Sequence, residues 1–208
     1  MEKLIKHSLD EAFRTLKRFM DDPETIHAIG SAIKLIVNAL NNKGKVITCG
    51  NGGSMCDATH FAEELTGRFR NNRRPLPAIA INDPAHISCV ANDYGYEDIF
   101  ANYIEALGSD GDVLVAFSTS GNSENIVRAA FKAHEKGMKV VALTGKKASR
   151  LAEIADTVIA VEHEGFSDRI QEMHIVAVHI IIEGVESTSF FSASEKEKAN
   201  AVKQSGFL

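Results

Sequence analysis

The stretch KVITCGNGGSMCDATHFAEEL, from Lys45 to Leu65, decides how this chain folds. Its β-branched start, 46–48, is typical of a buried strand, and the GNGG that follows is typical of a tight turn. Ser54 is predicted to start a helix, with Asp57 three residues later as in a capping box. Such a junction presents free backbone N–H groups and the positive end of a helix. It therefore predicts a binding site for a phosphate group.

The same alternation of strand and helix continues along the chain. Five short apolar runs are predicted as strands: 45–49, 77–81, 112–117, 139–144 and 156–161. Helices are predicted as two pieces within 2–42, then at 55–66, 97–107 and 124–136, and last from about Asp168 to Glu186. Strands that alternate with helices form parallel sheets covered on both faces. We therefore predict a three-layer α/β/α sandwich with a five-stranded parallel sheet, preceded by an N-terminal helical pair.

Composition narrows the class of protein. The 208 residues are 44% hydrophobic, enough for one core, and we expect a single domain over 1–186 followed by a tail, 187–208. Formal net charge is −5 and no basic stripe alternates with aromatic residues, which argues against nucleic acid as a partner. Three cysteines without a CxxC spacing indicate the reducing cytoplasm. The chain also lacks any run of about 18 apolar residues, so we expect no membrane contact.

A second ligand loop is predicted in the segment FSTSGNSENI. Here the run 112–117 leads into four hydroxyl residues before a helix: Ser118, Thr119, Ser120 and Ser123. Hydroxyls often serve only the turn or the cap, but one is enough for that purpose. Four at the end of a strand indicate that the loop binds a phosphate or sugar phosphate. Neither loop is a nucleotide signature, because no lysine follows the glycines and Met55 stands where the dinucleotide fingerprint needs a third glycine.

Candidate reactive groups lie on two helices. His60 and Glu64 are four residues apart, about 40° around a helix, so both can reach one ligand. The segment SDRIQEMHIVAVHII of the last helix adds Gln171, His174 and His179. Spacing alone does not choose between the two histidines, or between the adjacent glutamates of HFAEE. A carboxylate and an imidazole on either side of a substrate carbon suit proton transfer beside a carbonyl, and the same groups suit a metal ion.

Four arginines crowd into the segment RFRNNRR, directly after the helix that carries Glu64. They form either a solvated loop or a rim that attracts anions beside the phosphate site. Arg68 is the candidate closest to that helix.

Five segments resemble the signature blocks of the bacterial phosphoheptose isomerases, within the sugar-isomerase (SIS) domain superfamily. They are GNGGSMCDATHFAEELTGR, HISCVANDYGYEDIF, AFSTSGNSENI, GMKVVALTGK and DRIQEMHIVAVHI. The likeness extends from the N-terminal helices to about residue 186. It implies a flavodoxin-like fold and a homotetramer with active sites at subunit boundaries. The family converts D-sedoheptulose 7-phosphate to D-glycero-D-manno-heptose 7-phosphate through an enediol, the first step of ADP-heptose and lipopolysaccharide core biosynthesis.

The resemblance also implies roles for individual residues. It assigns the phosphate to Ser118, Thr119, Ser120 and Ser123. It assigns sugar contacts to Asn51, Gly52, Gly53, Asn92 and Asp93, and we add Ser54, Glu64, Arg68 and Gln171 to the expected substrate contacts. Glu64 and His179 would be the base and the acid. One zinc ion per subunit would be bound by His60, Glu64, Gln171 and His179.

A residue that binds zinc is not at the same time a free base. Either the metal orders the substrate and polarises its carbonyl, or Glu64 leaves the metal during turnover. A second functional class also shares this scaffold. The replication-initiator-associating proteins are tetramers that act through protein contacts, and they resemble this chain in the RIQEMH block. The presence of Glu64 and His179 favours the enzyme over such a binding module.

Overall fold

A five-stranded parallel sheet forms the centre of the protein in a computed structural model, which describes residues 1–188. Its strands are β1 (Val46–Gly50), β2 (Ala78–Ala80), β3 (Val113–Ser118), β4 (Lys139–Thr144) and β5 (Thr157–Ala160). Their order in the sheet is β2-β1-β3-β4-β5, and each neighbouring pair is parallel. The predicted fold class is confirmed. From β1 the chain runs to β2 at one edge of the sheet and then crosses to β3 on the other side of β1. Such a reversal of direction creates a ligand-binding crevice between β1 and β3.

Helices cover both faces of the sheet. Within residues 1–188 they are α1 (Glu2–Asp21), α2 (Pro23–Asn41), α3 (Gly53–Thr66), α4 (Pro84–Asp93), α5 (Ile99–Leu107), α6 (Glu124–Glu135), α7 (Arg150–Ile154) and α8 (Ser167–Ser187), with a 3₁₀ turn at Tyr96–Asp98. The two helical pieces predicted within 2–42 are confirmed, and the break between them lies at Asp22. Asp22 caps α2 by accepting the Glu24 N–H at 2.9 Å, and Pro23 occupies the first helical position.

Two apolar cores lie on opposite faces of the sheet. Helices α1, α2, α3 and α8 pack on one face, where the core includes Ile36, Phe61, Phe117 and Ile181. Helices α4 to α7 pack on the other face. Alternate residues of β3, such as Leu114 and Phe117, enter different cores, as the period of a strand requires. Helices α3 and α8 therefore lie side by side in the same helical layer. The start of α3, which directly follows β1, packs against α8.

Helix α4 was not among the predicted elements, although its start has a local signal. Asp83 accepts the His86 N–H at 2.7 Å, and Pro84 is the first helical residue. The helix is only 10 residues long. Most of the predicted tail, residues 189–208, lies outside the described part of the chain.

Helix α1 leaves an apolar stripe exposed. The side chains of this stripe recur three or four residues apart and are those of Leu9, Phe13, Leu16 and Met20. Exposed apolar stripes of this length mark surfaces that bind another protein. None of the helices in residues 1–188 combines the length and the apolar character that crossing a bilayer needs.

Candidate active site

The turn between β1 and α3 forms one wall of the candidate site. Gly52 has a φ of 55°, which favours glycine, and the Asn51 carbonyl accepts the Ser54 N–H at 3.0 Å. Helix α3 therefore begins at Gly53 with Gly52 as its N-cap. The predicted capping box of Ser54 and Asp57 is wrong, because the helix starts one residue earlier and Ser54 is buried within its first turn.

The loop after β3 gathers serine hydroxyls. Ser118 Oγ lies 3.5 Å from Ser120 Oγ and 3.4 Å from Ser123 Oγ. Gly121 has a φ of 65° and donates its N–H to Ser118 Oγ at 3.2 Å. Thr119, the fourth predicted hydroxyl residue, is half-buried in the same loop. The hydroxyls lie beside the N-terminus of α6, so the loop combines several hydrogen-bond donors with the positive end of a helix.

Two asparagine amides join these loops. Asn51 Nδ2 donates to Asn125 Oδ1, and Asn125 Nδ2 donates back to Asn51 Oδ1, each at 2.9 Å. The Tyr96 hydroxyl donates to the same Asn51 oxygen at 3.0 Å. Sequence reasoning missed both Asn125 and Tyr96. Only Asn125 has a signal, because an amide on the buried face of α6 must find a polar partner.

A cluster of reactive side chains lies where α3 packs on α8. His60 Nε2 lies 3.2 Å from Glu64 Oε1 and 3.4 Å from His179 Nε2. One ligand atom from each of the three residues lies within 4.8 Å of the others. The Phe69 ring stacks on His179 with 5.7 Å between centroids. Two imidazoles and a carboxylate this close together can bind a transition metal or move a proton.

The geometry also separates the alternatives that spacing left open. The Glu64 side chain is 15% exposed, whereas that of Glu63 is 63% exposed and lies 4.0 Å from His60. His174 is fully buried, and burial lowers the pKa of its imidazole to about 4. The arrangement therefore favours Glu64 and His179 as the reactive groups and assigns His174 to the core.

Gln171 of α8 packs against the start of α3. A Cβ added to Gly53 would lie 2.8 Å from both polar atoms of the Gln171 amide, so the absence of a side chain there lets the amide approach. The clustered His60, Glu64 and His179 offer two imidazole nitrogens and a carboxylate oxygen within reach of one ion. Two imidazole nitrogens and one carboxylate oxygen are a donor set found in catalytic zinc sites, so the chemistry of these three residues fits a zinc ion.

Asp57 is a carboxylate of the same helix face to which sequence reasoning gave only a capping role. It lies between Gly53 and His60 at helical spacing. Within residues 1–188 its buried Oδ2 meets no hydrogen-bond partner. Burial raises the pKa of Asp57 to about 6, against the opposing effect of His60. Asp57 can therefore gain or lose a proton at mildly acidic pH.

Three predicted substrate contacts lie apart from the His60 cluster. Asn92 and Asp93 are exposed at the end of α4, where the Asn92 amide donates to Asp93 Oδ1 at 2.8 Å. Arg68 is exposed just after α3. In the described part of the chain no hydrogen bond or ion pair joins these three to His60, Glu64 or His179.

The arginine-rich segment is more structural than predicted. Arg73 Nε donates to Glu186 Oε1 at 2.9 Å, and both side chains are 1% exposed. The same guanidinium donates to the Glu64 carbonyl at 2.5 Å. Arg70 forms an ion pair with Glu183 at the surface. Arg73 belongs neither to a solvated loop nor to an anion-attracting rim, since it ties the end of α3 to the end of α8.

Comparison with known proteins agrees with this geometry. The SIS domain family matches residues 9–145. The phosphoheptose isomerase of Sodalis glossinidius is 56% identical over 181 residues, which cover 87% of this chain and 93% of that protein. The chain belongs to the phosphoheptose isomerase family. A phosphoheptose isomerase of Shigella dysenteriae is 55% identical over 185 residues, which cover 89% of this chain and 96% of that protein.

A solved member of the phosphoheptose isomerase family has the same fold. The enzyme of Neisseria gonorrhoeae aligns with a TM-score of 0.84 and 36% identity, over 90% of this chain and 99% of that one. The predicted family is confirmed, and the chain is an enzyme that isomerises a sugar phosphate.

Proposed function

We propose that this isomerase interconverts D-sedoheptulose 7-phosphate and D-glycero-D-manno-heptose 7-phosphate in the cytoplasm, as the first step of ADP-heptose and lipopolysaccharide core biosynthesis. One observation carries the proposal. The hydroxyl loop follows β3 and the helix that carries His60 and Glu64 follows β1, so both begin at the switch point of the sheet, in a chain 56% identical to a phosphoheptose isomerase. The first suits a phosphate, and the second suits proton transfer.

The phosphate end of the substrate binds at the loop after β3. Ser118 Oγ already lies within 3.5 Å of the hydroxyls of both Ser120 and Ser123, and Thr119 adds a fourth hydroxyl. Phosphate oxygens accept hydrogen bonds from all of these groups and from the N-terminus of α6. The sugar then extends towards β1, where Gly52, Gly53 and Ser54 form the opposite wall.

Proton transfer is assigned to α3 and α8. The Glu64 carboxylate takes a proton from C1 of the open-chain ketose while the C2 oxygen gains one, which gives an enediol. Glu64 then returns its proton to C2 as the C1 hydroxyl loses its own, which gives the aldose. His179 carries the proton between the two oxygens. No atom is gained or lost, as an isomerisation requires.

The proposal includes one zinc ion per subunit, held by His60, Glu64, Gln171 and His179. Bound zinc supplies a Lewis acid that stabilises negative charge on a substrate oxygen. The 3.2 Å and 3.4 Å separations within the cluster support binding of one ion by three of the four side chains. Glu64 has two carboxylate oxygens, and the turnover of a Glu64→Gln variant tests whether this group accepts the proton.

We also propose that the active unit is a homotetramer with sites at subunit boundaries. The exposed stripe of α1, which includes Phe13 and Met20, gives an apolar surface for a second copy. Asn92, Asp93 and Arg68 are exposed on one subunit, so assembly is the means by which such residues could complete a site. Light scattering on purified protein measures the subunit number directly.

The deciding experiment follows sedoheptulose 7-phosphate by NMR in heavy water. New aldose signals are expected, with deuterium at the carbon beside the carbonyl because the proton on Glu64 exchanges with solvent while the enediol is bound. Chelation should stop conversion and zinc should restore it, and added zinc should also raise the melting temperature of the metal-free protein. A protein that converts nothing with any metal contradicts the proposal and favours the protein-binding module.

A further inference from the structure

Asn51 is held by hydrogen bonds that connect the two ligand loops. Its amide exchanges two bonds with Asn125, and its Oδ1 accepts a third from the Tyr96 hydroxyl. An amide oxygen has two lone pairs, and an amide nitrogen has two N–H groups. Both lone pairs of Asn51 Oδ1 and one of its N–H groups are therefore used. Among the contacts of residues 1–188, a single N–H of Asn51 is left to meet a ligand.

The two partners of Asn51 are themselves fixed. Asn125 is 3% exposed in the first turn of α6, so its amide depends on protein partners. Tyr96 begins the 3₁₀ turn, and Asp98 at the end of that turn binds Arg128 of α6 through both carboxylate oxygens at 2.9 Å. Since Tyr96 itself is 54% exposed, its bond to Asn51 is not a side effect of core packing.

We propose that Tyr96 and Asn125 are positioning residues of the isomerase. They hold the Asn51 amide in one orientation, so that its remaining N–H donates to an oxygen of the bound sugar phosphate. The inference rests on the proposed function, which places the substrate between the loops after β1 and β3. It assigns a role in substrate binding to an exposed hydroxyl about which the neighbouring sequence gives no information.

Removal of the Tyr96 hydroxyl gives the most direct test. Tyr96→Phe should raise the KM for sedoheptulose 7-phosphate about threefold to tenfold, the range of one neutral hydrogen bond. The kcat should change less than about twofold, because Asn51 binds the ground state and the transition state alike. The melting temperature should stay the same. Tyr94→Phe is the matched control, since Tyr94 is 68% exposed two residues earlier and should leave KM unchanged.

A double-mutant cycle shows whether the two residues act through Asn51. Asn51→Ala should raise KM, and adding Tyr96→Phe to it should change nothing further. Asn125→Ala should behave in the same way, and Asn125→Asp replaces it if the alanine variant melts early. Additive effects of Tyr96→Phe and Asn51→Ala, or an unchanged KM in Tyr96→Phe alone, would overturn the proposal.

A measurement without substrate separates this inference from the proposed function. Wild-type protein that leaves sedoheptulose 7-phosphate unchanged contradicts the function and not the link between the loops. The link is then read from the side-chain amide signals of Asn51 in a ¹⁵N–¹H spectrum. Tyr96→Phe should shift these signals, whereas Tyr94→Phe should not. Unshifted signals in Tyr96→Phe would show that the hydroxyl does not hold the amide.

Discussion

Two sets of titratable groups lie where α3 and the segment after it pack on α8, and the two sets differ in how far their hydrogen-bonding capacity is used. Near the C-terminal end of α8, the side chains of Arg73 and Glu186 are buried against each other. Glu186 Oε1 accepts from the guanidinium, and Glu186 Oε2 accepts the backbone N–H groups of Arg70 and Asn71. One to two turns away, His60 lies between Glu64 and His179, and its side chain is 38% exposed.

This difference in free hydrogen-bonding capacity distinguishes charged groups that stabilise the fold from groups that can react with a ligand. A buried ion pair whose remaining donors and acceptors are also bonded has no capacity left for a ligand, and its loss leaves an uncompensated charge. The His60 cluster keeps lone pairs and solvent access, so it can take up a metal ion or exchange a proton. Because Arg73 binds both the Glu64 carbonyl of α3 and Glu186 of α8, this pair also holds together the two helices that carry the His60 cluster.

Loss of the Glu64 carboxylate gives the largest expected effect on activity. Glu64→Gln should lower kcat by about 100- to 10,000-fold, the usual contribution of a general base. The melting temperature of the metal-free protein should change little, because the amide keeps the size of the side chain. Glu63→Gln is the matched control and should keep nearly full activity. Near-normal turnover by Glu64→Gln would remove this residue from the mechanism.

Loss of Arg73 should act on stability instead. Arg73→Met leaves Glu186 buried without its partner, which should lower the free energy of unfolding by about 3–5 kcal/mol. Urea denaturation measures this change. The double variant Arg73→Met with Glu186→Met should be more stable than Arg73→Met, since no lone charge stays buried. If Arg73→Met has the same free energy of unfolding as wild type, the Arg73–Glu186 pair does not have the structural role assigned to it.

Burial of His174 should have a smaller effect on the free energy of unfolding, and this effect should depend on pH. Its folded pKa of about 4 lies below the ordinary value of 6.5, so the unfolded chain binds more protons between these pH values. This group therefore lowers stability as the pH falls from 6.5 towards 4, by at most about 3 kcal/mol. His174→Leu should remove that part of the acid sensitivity in denaturant titrations. A variant with the same pH slope as wild type would contradict the assignment.

The surface pair of Arg70 and Glu183 gives the smallest effect. Their side chains are 57% and 50% exposed, and such pairs contribute about 0–1 kcal/mol. Arg70→Ala should thus shift the free energy of unfolding far less than Arg73→Met, although the two arginines are three residues apart. Equal losses in the two variants would show that burial does not decide their roles.

The helices and strands of this fold could be predicted from the sequence wherever a local residue pattern marks them. The β-branched runs and the glycine turn at 50–53 located β1 and α3, and the hydroxyls at 118–123 located the loop after β3. The missed helix α4 has a local signal too, in Asp83 and Pro84, but it covers few residues. Strand β2 is shorter than predicted, with 3 residues in place of five.

The side-chain partners were not accessible in the same way. His174 and His179 lie on one helix in similar apolar surroundings, and only the packing of α3 on α8 shows which of them meets His60. In the sequence Arg73 is indistinguishable from a surface arginine. Only the structure shows that Glu186, far along the chain, is its buried partner. Tyr96 is a similar case, because its partner Asn51 belongs to a different loop. Long-range contacts of this kind leave no periodic trace in one sequence.

The strand order also sets when the site can form during synthesis. β1 is an interior strand of the sheet, and its Val46 pairs with Ala78 on one side and with Val113 on the other. The ribosome must therefore release β1, β2 and β3 before the strands that carry the two ligand loops can pair. Pairings between such distant segments are slow to form. Helix α8 is made after all five strands and carries both His179 and Glu186. The proposed zinc ion should thus bind only to nascent chains that have already released α8.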